Sequence, residues 1–214
     1  MIEFQWHRQS CLCSSHLRPV SNLWYLFVVA FYRRNLPHWH PDEKALFITW
    51  RLYGSLPRLE DPECKKSSMS AEEEFRKADA ILDRADSGPL WLKDPRIAAI
   101  VVHALQAGSA VFGRYELHAY TVMANHIHVL LTPKIQVRRI TKSLKGVTAR
   151  AANEILRRTG QNFWQDESFD HWVRNEIEFV QTKQYIEQNP VTAGLVERPE
   201  DWRWSSGYQN PQKA

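Results

Sequence analysis

Three cysteines, Cys11, Cys13 and Cys64, are the whole thiol complement of this 214-residue chain. An odd number closes no disulfide framework, and without CxxC pairs there is no structural zinc finger or ribbon. The chain therefore reads as one suited to a reducing, cytoplasmic setting. Long apolar runs are equally scarce. The stretch LWYLFVVAFY, residues 23–32, holds ten residues, whereas a membrane-spanning helix needs roughly 20. Arg33 and Arg34 follow it directly, where a secretory signal would offer small residues for cleavage. Residues 1–32 are set apart as an N-terminal extension, either an extra buried segment or a start read from upstream, and no membrane partner is expected. Charge of one sign is also in short supply: 28 Lys and Arg face 24 Asp and Glu, a net +4. That excess suits a nucleic-acid partner without demanding one. No internal repeat or low-complexity tract is visible.

What is present is a foldable chain. Hydrophobic residues at 43% and charged residues at 24% support one ordinary domain with a core. Nine Trp and nine His stand out, rich in stacking surface and in metal-binding nitrogens. The β-branched and aromatic run Ala45–Tyr53 predicts a strand. Residues 71–84, AEEEFRKADAILDR, place Phe75, Ala78, Ile81 and Leu82 on one helical face. Pro95 opens a second helix closed by Gly108. Residues 115–132 are β-rich, with Ala124-Asn125 marking either a bend between two strands or a bulge within one. A basic helix over residues 137–158 should end at Gly160, residues 163–174 should be extended, and a helix over 176–188 should stop at Asn189-Pro190. This order describes an α+β protein with helices packed on an antiparallel sheet.

Two motifs carry chemistry. In a strand, His126 and His128 share one face, about 7 Å apart, while Ile127, Val129 and Leu131 face the core. Such a pair can bind a divalent cation if a third ligand arrives from elsewhere. Leu130 excludes the three alternating histidines of a histidine-triad phosphoryl transferase. The second motif is Tyr185, which shares a helical face with Gln181 and Asn189 and has Gln184 and Gln188 for company. A phenol with an ordinary pKa near 10 is a poor nucleophile at neutral pH. It can attack a phosphodiester when a metal polarises the phosphate.

Read together, several segments resemble the REP-associated tyrosine transposases, relatives of the single-tyrosine HUH transposases of insertion sequences. They are RRNLPHWHP (33–41), FITWRLYGSLP (47–57), AYTVMANHIHVLL (119–131), FWQDESFDHWVRN (163–175), YIEQNPVTAGLV (185–196) and WRWSS (202–206). Ala124 departs from a proline common in relatives. The resemblance spans residues 33–208 as the catalytic domain, leaving 209–214 as a tail. It implies a ferredoxin-like antiparallel sheet with packed helices, Tyr185 as nucleophile, and His126 and His128 as metal ligands. Asn189 would be the third ligand, with Gln188 and Gln181 as competitors. The ion implied is Mg²⁺ or Mn²⁺, although two imidazoles would also suit Zn²⁺. The activity implied is cleavage and rejoining of single-stranded hairpin DNA of the REP type through a 5′-phosphotyrosine, by a monomer or homodimer. The competing reading is a domesticated hairpin-binding protein with little catalysis. Beside such a site, the basic helix becomes a phosphate contact, and Arg138, Arg139, Lys142, Lys145 and Arg150 are its candidate DNA-binding residues.

Overall fold

A computed structural model describes residues 44–56 and 71–209. The sequence readings on the N-terminal extension, the opening RRNLPHWHP motif, the three cysteines and the last five residues lie outside the described residues. Strands β1 (Leu46–Arg51), β2 (Tyr115–Val122), β3 (His126–Pro133) and β4 (Phe169–Trp172) form one antiparallel sheet in the order β2-β3-β1-β4. Helices α1 (Ala71–Arg84) and α2 (Pro95–Ala110) lie between β1 and β2, α3 (Val137–Ile155) between β3 and β4, and α4 (Glu176–Thr192) after β4. This is the expected ferredoxin-like α+β arrangement.

Strand alternation sorts the side chains into two layers. Leu46, Ile48 and Trp50 of β1, with Ile127, Val129 and Leu131 of β3, meet Ile97, Val101 and Leu105 of α2 and Ile140 and Leu144 of α3. The other sheet face presents Phe47, Ala119 and Leu130 to Ile186 of α4 and to Phe75 of α1. Burying each such side chain is worth roughly 1.5–3 kcal/mol, and with both faces covered β3 is buried almost throughout. His126 and His128 therefore lie on the α1–α4 face, as the alternation requires.

The turn at residues 123–125 separates β2 from β3, so Ala124-Asn125 is a bend between strands. The bulge lies at His118, where the register slips between Leu117 and Ala119. The free side of β2 is covered by the chain end: Val122 N donates to the Trp204 carbonyl and Ser206 N to the Tyr120 carbonyl, both at 2.9 Å. That contact blunts an edge strand and gives the WRWSS segment a structural job.

Four expected boundaries are corrected. Helix α2 is not closed by Gly108 but runs on to Ala110, its glycine making room for the Tyr115 ring. Helix α3 ends at Ile155, before Gly160, because Arg157 adopts a left-handed φ of 55°. Arg158 N then donates to the Asn153 carbonyl and Arg157 N to that of Glu154, the paired bonds of a Schellman cap. Helix α4 does not stop at Asn189-Pro190 but runs to Thr192. Leu195 N donates to the Pro190 carbonyl and Gly194 N to that of Val191, with Gly194 at φ 69°, so the helix ends on its glycine. Asn189 consequently stays on the helical face of Tyr185. The segment 163–174 is split: Leu52 and Trp164 form an isolated bridge, and only Phe169–Trp172 pairs as β4. Between them Lys145 Nζ donates to the carbonyls of Gln165, Asp166 and Glu167 at 3.0–3.3 Å and bends the chain out of the sheet.

Candidate active site

The histidine pair is built by register. His128 stands opposite Thr49 of β1, and His126 follows the bend at Asn125. Both imidazoles are fully buried, and burial pushes each down to about 3, so both are neutral at physiological pH. Asn125 fixes the tautomer of His126. Its Nδ2 donates to the Leu82 carbonyl of α1 at 3.0 Å, which leaves its Oδ1 to accept from His126 Nδ1 at 2.7 Å. The proton thus sits on Nδ1, and Nε2 keeps a lone pair directed into the site. Thr49 Oγ1 lies 2.7 Å from His128 Nδ1 and, as a hydroxyl, serves either tautomer of that ring. The two Nε2 atoms face each other at 3.0 Å, within hydrogen-bond distance.

Helix α1 brings carboxylates to this point. Asp79 Oδ1 lies 3.4 Å from His128 Nε2 and 3.7 Å from His126 Nε2, and Asp83 Oδ1 lies 3.5 Å from His126 Nε2. Asp79, His126 and His128 together form a compact group of potential metal ligands, with ligand atoms within 4.8 Å of one another. From the opposite side α4 delivers Tyr185, whose hydroxyl donates to Asp79 Oδ2. The Asn189 side chain is a second hydrogen-bond partner of that hydroxyl. Phe47 packs edge-on against Tyr185 and stacks on His128, so phenol and imidazole are held by one ring.

The electrostatics are those of a site short of positive charge. Burial raises Asp79 above the usual carboxylate range, and burial with the neighbouring Asp79 pushes Asp83 up to about 8. Tyr185 is raised well above an ordinary phenol by burial and by the adjacent carboxylates. Buried side-chain oxygens lack hydrogen-bond partners at Asp79 Oδ1, Asp83 Oδ1, Gln181 Oε1 and Asn189 Oδ1. Unpaired buried acceptors around a neutral histidine pair fit a divalent cation, for which Asp79, His126 and His128 would be ligands.

Of the three sequence candidates for the third ligand, Asn189 is buried beside Tyr185, Gln181 is half-buried, and Gln188 is exposed. The basic helix lies elsewhere. Arg138, Arg139, Lys142 and Arg150 are exposed on α3, which covers the sheet face opposite the histidines. Lys145 spends its ammonium on three carbonyls, and burial lowers it to about 8. Sequence reading missed Asp79, Asp83, Asn125 and Thr49. A signal for the first two was present: they are four residues apart, beside the apolar stripe of Phe75 and Leu82.

No helix among the described residues is long and apolar enough to cross a membrane. No curated protein matches the chain. A solved structure of a REP-associated tyrosine transposase bound to a REP hairpin is similar to it at TM-score 0.53 and 16% identity, over 81% of this chain and 82% of that one. At that identity the likeness speaks for the fold. A candidate transposase from Deinococcus radiodurans aligns at 20% identity over 72% of this chain and 97% of its own, with a TM-score of 0.39, too low to bear on the argument. The sequence profile of the family described as "Transposase IS200 like" matches residues 102–189, a stretch that holds His126, His128, Tyr185 and Asn189 and stops short of α1. Over those residues the chain is similar to the IS200-like transposases.

Proposed function

We propose that this domain cleaves and rejoins single-stranded DNA with Tyr185 as nucleophile, acting on hairpins of the REP type. The observation that carries this reading is the meeting of nucleophile and histidine pair at one carboxylate. Asp79 accepts the Tyr185 hydroxyl on one oxygen and turns the other towards His126 and His128. Tyr185 Oη forms a bond to the scissile phosphorus, the bond from phosphorus to the 3′ oxygen breaks, and the phenolic proton ends on the released 3′-hydroxyl. The product is a 5′-phosphotyrosine whose phosphoester bond energy is retained for rejoining.

His126, His128 and Asp79 would hold Mg²⁺ or Mn²⁺, with Asn189 as a further oxygen donor. When bound, such an ion polarises the phosphate and offsets negative charge on the phenolic oxygen. The protein's own part is to hold the reactants. Phe47 keeps the Tyr185 ring against His128, and Asn125 and Thr49 hold the imidazoles. Asp79 accepts the phenolic hydrogen bond and so orients the Oη lone pairs. The exposed cations Arg138, Arg139, Lys142 and Arg150 lie on the far face, where they suit phosphates of the folded part of a hairpin rather than the scissile one. Lys145 orders the approach to β4. This reading places the protein in the cytoplasm with DNA as its partner.

The test is covalent trapping. A labelled hairpin oligonucleotide is incubated with the protein and Mg²⁺ or Mn²⁺ and run on a denaturing gel. Wild type should give a protein–DNA adduct that Tyr185→Phe and His126→Ala/His128→Ala do not. An adduct with Tyr185→Phe would overturn the nucleophile assignment. Tight binding by a wild type that cleaves no hairpin would leave a binding protein of the same fold.

A further inference from the structure

The carboxylates of α1 fall outside the segment that matches the family profile, yet they lie against its histidines. We infer that Asp83 joins Asp79 as a ligand, so that α1 turns the histidine pair into a carboxylate-rich centre that takes up Mn²⁺ or Mg²⁺ in the absence of DNA. This rests on the reading of His126, His128 and Asp79 as a cation site.

The geometry comes first. Asp79 and Asp83 are one helical turn apart and both reach His126 Nε2, at 3.7 and 3.5 Å. Each keeps an inward oxygen without a hydrogen-bond partner, as does the 2% exposed Asn189 across the site. Oxygens left unpaired in this way on three side chains from two helices mark a shared point of attraction rather than three separate defects.

Charge balance points the same way. With His126 Nδ1 committed to Asn125, the imidazoles bring two neutral nitrogens. Two carboxylates then match the charge of one divalent ion. With Asp79 alone the ion would keep an unmatched positive charge in a buried pocket. A simple His126–Asp83 ion pair is the competing account. It would need a second proton on His126, at Nε2, and the ring is fully buried where an added charge is costly.

The donor set also sets the preference among cations. Two nitrogens with two carboxylates and an amide oxygen favour an ion that accepts high coordination by oxygen, Mn²⁺ or Mg²⁺, over tetrahedral Zn²⁺. Removing one carboxylate should therefore weaken Mn²⁺ more than Zn²⁺.

Calorimetric titration of the full chain with Mn²⁺ and, separately, Zn²⁺, without DNA, tests this, together with thermal unfolding in EDTA and in Mn²⁺. Wild type should bind one Mn²⁺. Asp83→Asn should bind Mn²⁺ at least tenfold more weakly and Zn²⁺ within threefold of wild type. Its melting temperature in EDTA should match that of wild type, because the inward oxygen of Asp83 makes no hydrogen bond for the amide to lose, and the rise on adding Mn²⁺ should shrink. Asp83→Glu, which keeps the charge, should recover part of the Mn²⁺ affinity and serves should Asp83→Asn not fold. A loss of Mn²⁺ affinity below tenfold overturns the inference, as does a wild type that binds no Mn²⁺. A drop in EDTA stability with Mn²⁺ affinity kept makes Asp83 structural and also overturns it. Intact Mn²⁺ binding with no hairpin cleavage would sink the strand-transfer reading and leave this one standing.

Discussion

Replacing Asn125 with alanine separates what orders the site from what reacts in it. Asn125 is 1% exposed and makes two hydrogen bonds, one to the Leu82 carbonyl of α1 at 3.0 Å and one from His126 Nδ1 at 2.7 Å. Each is worth about 0.5–1.5 kcal/mol net, and each partner left buried and unpaired costs about 1–3 kcal/mol. Partial relaxation will recover some of this, so a total loss of ~2–4 kcal/mol is expected, or roughly 5–15 °C in Tm for a domain of this size. The ring of His126 loses its orientation as well, and such outer partners of metal-bound histidines are worth about 10- to 100-fold in metal affinity. Asn125→Asp divides the two effects. It keeps an acceptor for His126 Nδ1–H but cannot donate to Leu82, so it should keep Mn²⁺ binding while losing stability. Urea unfolding with Mn²⁺ titration of both variants measures each quantity. If Asn125→Ala bound Mn²⁺ as tightly as wild type, His126 would owe its orientation to something else and the argument for its tautomer would fail.

Two further predictions concern the scaffold. A Cβ at Gly108 would overlap the Tyr115 ring and hydroxyl, which donates to the Leu105 carbonyl at 2.7 Å; Gly108→Ala should lower stability by about 1–3 kcal/mol in urea unfolding without altering Mn²⁺ affinity. Asp94 caps α2 through Arg96 N, and its hydrogen bonds to Arg96 hold its carboxyl at about 2, below the ordinary 3.8. Its ionised form is favoured by folding, so its contribution is complete above about 4 and disappears as pH falls towards 2. The Tm deficit of Asp94→Asn should be full at pH 7 and close over that window; a deficit unchanged at pH 2.5 would show that the charge of Asp94 plays no part.

Elements that bury a periodic apolar stripe were legible in the sequence. The α1 boundaries were read to the residue, and the facing of β3 followed from alternation alone. Helix ends were misread where tertiary bonds overruled local preference. Arg157 takes a left-handed conformation that sequence statistics give to glycine, and Pro190 sits in a last turn closed by Gly194 and Leu195. The two histidines and the tyrosine were legible because their order along the chain is itself a pattern. Asp79 and Asp83 were not, since their helix reads as an ordinary charged amphipathic one until β3 is placed beside it. The basic residues of α3 were visible as a cluster, but composition cannot say which side of a sheet a helix will cover, and α3 covers the side away from the histidines.

Strand β1 lies between β3 and β4, although the chain makes it well before either. Thr49 meets His128 across 79 residues of chain, and β4 follows later still. A nascent polypeptide therefore exposes Phe47, Ile48 and Trp50 with no sheet to join until most of the protein has been synthesised. Such long-range pairing is slow to close. The segment 102–189, expressed alone, would leave a gap where β1 belongs, with β3 and β4 no longer neighbours. The stretch that matches the family profile is thus not a unit that can assemble by itself, and a truncation that omits β1 would remove the middle of the sheet on which both histidines stand.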